Sequence, residues 1–147
     1  MKFNIRKASP LDMGWINSKY HEIGFQYASS QDVIAIAELE NGEKIGLGRL
    51  VLLDSKNLEL AGIYVREPFR KKGVAKKIIE FLMTHRNSNE IVFCLPFSQV
   101  KTLYEQFGFK DCRVNESLPK AILDKCKWCE KSHKAIVDVM IFDRCHF

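Results

Sequence analysis

The sequence predicts an α/β fold: a mixed, mostly antiparallel sheet flanked by helices. Three observations point there. Apolar residues alternate with polar ones in short stretches of the first half, then recur at helical spacing from residue 73. Asn41-Gly42 separates two strand-like stretches, and this pair is the strongest short signal of an antiparallel hairpin. IVFCLP (91–96) is apolar throughout, as in a short strand buried on both faces.

Each element follows from its local pattern. KFNIRKA (2–8) alternates and reads as the first strand. Pro10 and Asp12 open a helix to about Tyr20. Residues 21–31 carry no single period and read as loop plus a short helix. VIAIAEL (33–39) and IGLGRLVLL (45–53, its strand starting at 44) flank the hairpin turn. A second turn, Asp54–Asn57, leads into LELAGIYV (58–65). Val74, Ile78, Phe81, Leu82 and His85 then mark an amphipathic helix over 73–86. After the strand at 91–96, a helix at 98–107 ends at Gly108, a suitable C-cap. Residues 109–115 look extended. Pro119 starts a helix to about 132, and AIVDVMIF (135–142) is the last strand. The order is β-α-β-β-β-α-β-α-β-α-β.

The 147 residues fit a single domain, 1–147, with 46% apolar and 28% charged residues, the balance of a globular chain. No apolar run approaches the ~20 residues of a membrane helix, so no membrane partner is expected. MKFNIRKASP has no apolar signal core, which points to the cytoplasm. Five cysteines, an odd number, read as free thiols.

The net charge of +5 is concentrated. Arg66, Arg70, Lys71, Lys72, Lys76 and Lys77 face only Glu67 within 66–77, so the rest of the chain is neutral on balance. Such a local field suits one anionic ligand better than a coat of nucleic acid. Gly73 lies in the first turn of the helix that follows. Amides there lack intrahelical acceptors and carry partial positive charge. A strand, loop and helix of this kind can cradle a phosphate. Neither GxGxxG nor GxxxxGK[ST] is present. A solvated basic helix start is the alternative.

Residues 63–75, IYVREPFRKKGVA, resemble the acetyl-CoA signature of the GNAT superfamily of N-acetyltransferases, with Arg70, Gly73 and Ala75 at its defining positions. LYEQFGF (103–109) resembles the family's second signature, Y-x-x-x-G-F. The element order is also similar to a GNAT-like fold over nearly the whole chain. The resemblance implies acetyl-CoA as cosubstrate, with the pyrophosphate held by Arg70, Lys71, Lys72, Gly73, Val74 and Ala75. Lys71, Lys72 and Lys76 would screen charge or reach the 3′-phosphate. Ile63, Tyr64 and Val65 would pair their backbone with pantetheine where strands 58–65 and 91–96 part, and the Val65 amide would polarise the acetyl carbonyl. Tyr104 matches the tyrosine that lies near the CoA sulfur and, in several members, protonates the leaving thiolate; packing against strand 91–96 is the alternative. Glu59, six residues before Val65, matches a base glutamate of some members; a water relay is the alternative. Positions 57, 59, 61, 63 and 65 should share one strand face, placing Glu59 with Ala61. Many members carry an asparagine seven residues before the tyrosine. Phe97 stands there instead, with Ser98 or Gln99 as substitutes.

These features imply transfer of acetyl from acetyl-CoA to a primary amine by direct attack in a ternary complex. No nucleophile is placed for a covalent route: Cys94 lies in a buried strand with no histidine beside it. The alternatives are a catalytically silent acyl-CoA sensor and, with too few interleaved aromatics, a nucleic-acid module using 66–77. Cys126, Cys129 and His133 fall on one helix face and Cys145 or His146 could join them. A second Cys-x-x-Cys pair is missing, so core packing is preferred and no metal is expected. The acceptor's walls should come from residues 11–31 and 113–135. Trp15, Tyr20, Phe25 and Tyr27 suit an apolar or aromatic amine, Glu22 and Asp32 a cationic one; packing of the first helix is the alternative for the aromatics, and a small molecule, a peptide N-terminus and a lysine side chain all stay open as acceptors. The chain could be a monomer or a homodimer paired through an edge strand such as 135–142.

Overall fold

The structure is a computed structural model that describes residues 1–133 and 138–143. Strand β1 (Phe3–Lys7) leads through a 3-10 turn (Pro10–Asp12) into α1 (Met13–Ile23). Three strands follow: β2 (Val33–Leu39), β3 (Lys44–Leu52) and β4 (Asn57–Val65). Then come α2 (Val74–Met83), β5 (Ile91–Cys94), α3 (Lys101–Gln106), β6 (Lys110–Asp111), α4 (Lys120–His133) and β7 (Met140–Phe142). The predicted order is therefore the observed one.

The strands form one sheet in the order β1-β2-β3-β4-β5-β7-β6. The β1/β2, β2/β3, β5/β7 and β6/β7 pairs are antiparallel, whereas β4 and β5 run parallel over Asn57–Glu59 and Ile91–Phe93. The sheet is mixed and mostly antiparallel, as the sequence predicts.

Several boundaries differ for local reasons. Helix α1 runs past Tyr20 to Ile23, where Gly24 at φ 72° caps it. No second helix follows; 24–32 is loop. Helix α2 stops at Met83 because 84–86 turn with i−3 bonds, Thr84 to Phe81, His85 to Leu82 and Arg86 to Met83. The stretch predicted as extended over 109–115 shortens to two residues. Asn115 instead builds a turn, accepting from the Ser117 amide at 2.8 Å. Of the last predicted strand, 135–137 lie outside the described residues. The observed β7 sits between β5 and β6, so it is not the free edge proposed for a dimer; β1 and β6 hold the edges.

The chain packs as two compact units: Met1–Val51 with Leu60–Arg86, and Leu52–Glu59 with Asn87–Phe147. In the first unit, Ile16 and Tyr20, one helical turn apart on α1, pack on Ile34 and Ile36 of β2 and Leu47 of β3. On α2, Val74, Ile78, Ile79 and Leu82 are buried. Gly46 and Gly48 of β3 let that helix approach: a Cβ at either would meet Val74, Ile78 or Leu82 at 3.3 Å or less. Each fully buried aliphatic side chain contributes about 1.5–3 kcal/mol. Arg6 ties β1 to its neighbours, bonding Asp12 at 2.9 Å and Glu38 at 3.1 Å. In the second unit, Phe93, Leu118, Ile122 and Val139 form the core cluster. Cys129 and Ile122 are both buried, as their helix positions predict.

Candidate active site

The basic segment folds as strand end, loop and helix start. Strand β4 ends at Val65, a 3-10 turn covers Glu67–Phe69, and α2 begins at Val74. Arg70 pins this loop to the strand: its Nε donates to the Val65 carbonyl at 2.7 Å, and its guanidinium lies 5.9 Å from the Tyr64 ring centroid. Lys71 has φ 62°, and Gly73, the N-cap of α2, has φ 81°. Left-handed residues in such a turn gather backbone amides into a concave anion cradle. A Cβ on Gly73 would meet nothing within 4 Å, so the space over the helix start is open. Lys71, Lys72 and Lys76 are exposed and make no ion pair among the described residues. Arg66 and Lys77, by contrast, pair with Glu43 and Glu80, each at 3.3 Å.

Strand β4 is covered on both faces over part of its length. Leu58 through Ala61 are all buried, and Gly62 at φ 63° interrupts the pleat. The hydroxyl of Tyr20 donates to the Gly62 carbonyl at 2.8 Å. A Cβ at Gly62 would fall on that hydroxyl, so only glycine fits. Beyond it, Ile63 lies against Gly48, and Tyr64 packs on the α1 cluster.

Glu59, Tyr104 and Ser98 belong to the second unit. Glu59 is buried, and its carboxylate accepts a hydrogen bond from the Lys125 ammonium of α4. Tyr104 is buried on α3, with its ring edge-on to Phe109 at 6.0 Å. Burial, with a smaller contribution from Cys94, pushes the tyrosine's pKa well above its ordinary value. Cys94 is itself influenced by Glu59 and Lys125, so these groups form one neighbourhood. Its thiol is 1% exposed and raised by burial, which keeps it protonated and a poor nucleophile. Ser98 and Gln99 are exposed at the start of the 3-10 turn Ser98–Val100.

Arg49 is absent from the residues that the motifs single out. It stands within the apolar run of β3 and is 4% exposed. Its guanidinium lies 4.9 Å from the Tyr20 ring centroid, and Nη1 is 3.9 Å from Asp32 Oδ2. Both Nε and Nη1 are buried without a hydrogen-bond partner. Each such donor costs about 1–3 kcal/mol. An arginine in a strand of glycine and aliphatic residues was the available signal.

Among the described residues, no group of three His, Cys, Asp or Glu side chains could hold a metal ion. The side chain of His133, together with Cys145 and His146, lies outside the described residues. No helix among the described residues is long and apolar enough to cross a membrane.

Residues 30–111, more than half of the chain, match the family model for the acetyltransferase (GNAT) domain. The chain belongs to the GNAT acetyltransferase family. The uncharacterized N-acetyltransferase YsnE of Bacillus subtilis (strain 168) is 26% identical over 99 residues, 63% of this chain and 66% of that protein. The fold is shared with Rv2747 of Mycobacterium tuberculosis, solved in complex with CoA: TM-score 0.72, 16% identity, 95% of this chain and 98% of that one. It is shared with Ard1 of Thermoplasma volcanium: TM-score 0.71, 14% identity, 99% of this chain and 100% of that one. N-acetylglutamate synthase of Neisseria gonorrhoeae, complexed with coenzyme A and N-acetyl-glutamate, matches all of this GNAT chain over 36% of its own (TM-score 0.70, 16% identity).

Proposed function

We propose that this chain transfers an acetyl group from acetyl-CoA to a primary amine by direct attack in a ternary complex. The observation that carries the reading is the loop Arg70–Ala75. Arg70 locks it to the end of β4, two left-handed residues turn its amides, and the space over Gly73 is open. A pyrophosphate fits that donor set. Family membership and the CoA-bound relatives support the same cosubstrate.

The residues then take these roles. Amides of 71–75 hold the pyrophosphate, and exposed Lys71, Lys72 and Lys76 supply positive charge. The backbone of Ile63–Val65 aligns the pantetheine arm as an added strand would, and the Val65 amide polarises the acetyl carbonyl. Tyr104 keeps its proton and gives it to the departing sulfur. Glu59 accepts the amine's proton, directly or through a water. Because Lys125 already engages it, this role requires Lys125 to yield to the acceptor's amine or to that water. The buried, protonated thiol of Cys94 favours direct attack over a covalent route.

Calorimetric titration of acetyl-CoA, beside dephospho-CoA, tests the reading. Micromolar binding of acetyl-CoA is expected, with weaker binding of dephospho-CoA if the lysines reach the 3′-phosphate. Gly73→Glu should abolish binding by setting a carboxylate in the cradle; its side chain enters open space, but holding φ near 81° costs about 1–3 kcal/mol, so a lower melting temperature with the fold retained is expected. Wild-type protein that binds no acetyl-CoA at millimolar concentration would sink the assignment.

A further inference from the structure

We propose that Arg49 anchors a carboxylate on the acceptor, so that the amine acetylated here is a small, amino-acid-like molecule. This rests on the acetyl-transfer reading above and names its substrate class. A guanidinium stays charged at any working pH and presents donors in a planar fork that matches a carboxylate. That of Arg49 is nine-tenths buried, yet two of its three nitrogens have no acceptor. Among the described residues its ion-pair partner is Asp32, at 3.9 Å, and the Asp32 Oδ2 oxygen already accepts the Ser29 amide at 2.9 Å. Tyr20 covers a face of the guanidinium without satisfying its N–H groups, and the Tyr20 hydroxyl donates to Gly62. A second anion is what the fork lacks.

Its position suits an acceptor. Arg49 reaches the ring of Tyr20, and Tyr20 holds the carbonyl of Gly62, the residue just before Ile63–Val65. Trp15, Phe25 and Tyr64 are partly buried on the same cluster and offer apolar surface beside the charge. Asp32, with Arg49 as its ionic neighbour, is a poor recognition site for a cationic amine.

The test compares common amino acids with their carboxamides as acceptors at saturating acetyl-CoA. Wild-type protein should favour the acids in kcat/KM, and Arg49→Met should shift the acid-to-amide ratio by about tenfold or more toward the amide, through KM. Taking the ratio between proteins removes the difference in amine basicity. Affinity for acetyl-CoA should not change; the melting temperature should fall, because Asp32 loses its ionic neighbour, so the acid-to-amide ratio is the deciding readout. A purely structural ion pair with Asp32 would leave the ratio alone and overturn the proposal. If Arg49→Met does not fold, Arg49→Lys keeps the charge without the fork and should shift the ratio in the same direction. Calorimetry of N-acetyl amino acids against N-acetyl amino acid amides gives a readout that needs no turnover; equal binding, as a buried water alone at Arg49 would give, overturns the proposal. Acetyl-CoA binding with turnover only of amines lacking a carboxylate overturns this inference and spares the acetyl-transfer reading. Absence of acetyl-CoA binding overturns that reading itself.

Discussion

At Tyr104 the hydroxyl is protonated for a physical reason. Burial disfavours tyrosinate, so its pKa rises from the ordinary ~10 and the proton stays on throughout the assay range. Tyr104→Phe should lower kcat about a hundredfold with unchanged acetyl-CoA affinity in calorimetry. The wild-type pH–rate profile should show no alkaline fall caused by this residue below about pH 10. Full activity in Tyr104→Phe would remove the tyrosine from the chemistry. Glu59 and Lys125 make a second case. Both side chains are largely buried, so Lys125→Met leaves a buried carboxylate unpaired and should cost about 3–5 kcal/mol in urea denaturation. Adding Glu59→Gln to that variant should recover much of the loss, because paired groups are not additive. Glu59 was legible from its place in β4, but Lys125 was not: 66 residues separate them, and only tertiary packing joins them. Arg49 was visible as a charge in an apolar strand, yet its missing partners became apparent only with β2 and α1 in place.

Elements were legible wherever one local force decided them. Asn41-Gly42 forms its hairpin with Gly42 at φ 89°, and the 3.6-residue period gives α2 its buried face. The end of α1 was placed at about Tyr20, one turn early; Gly24 caps the helix instead. The polar residues after Asp111 favoured a side-chain turn at Asn115 over strand pairing, a competition that an extended pattern does not reveal. Strand β4 is the instructive case, because a single glycine with left-handed φ interrupts its regular pleat. Gly62→Ala must place a Cβ against the Tyr20 hydroxyl and hold φ near 63°. Destabilisation of about 1–3 kcal/mol is expected in chemical denaturation. The displaced strand end should also raise KM for acetyl-CoA. A variant as stable as wild type would mean that β4 tolerates a regular pleat there, and the link from Tyr20 to Ile63–Val65 would lose its basis.

For the whole molecule, the distribution of charge matters more than its sum. The net +5 equals the charge of residues 66–77, so the field that a distant anion meets comes from one loop and helix start. Arg66, Lys77 and Arg70 are engaged by Glu43, Glu80 and the Val65 carbonyl. Lys71, Lys72 and Lys76 are exposed and make no ion pair among the described residues, which leaves them to act at a distance. A concentrated field of this kind steers a polyanion and accelerates its capture, by ten times or more at low ionic strength. Steering fades as the Debye length falls from about 10 Å at 0.1 M salt to about 3 Å at 1 M. Stopped-flow binding of acetyl-CoA should therefore slow with added salt in the wild type. The Lys71→Ala/Lys72→Ala/Lys76→Ala variant should bind about tenfold more slowly at low salt and converge with wild type at high salt. Its dissociation rate separates two roles for these lysines. A rate unchanged from wild type assigns them to capture alone, since backbone amides and not side chains would hold the pyrophosphate. A faster rate that dephospho-CoA reproduces in wild-type protein assigns at least one lysine to the 3′-phosphate. Association that ignores salt in both proteins would detach the basic stretch from cosubstrate capture, and the cradle would then have to act through its amides alone.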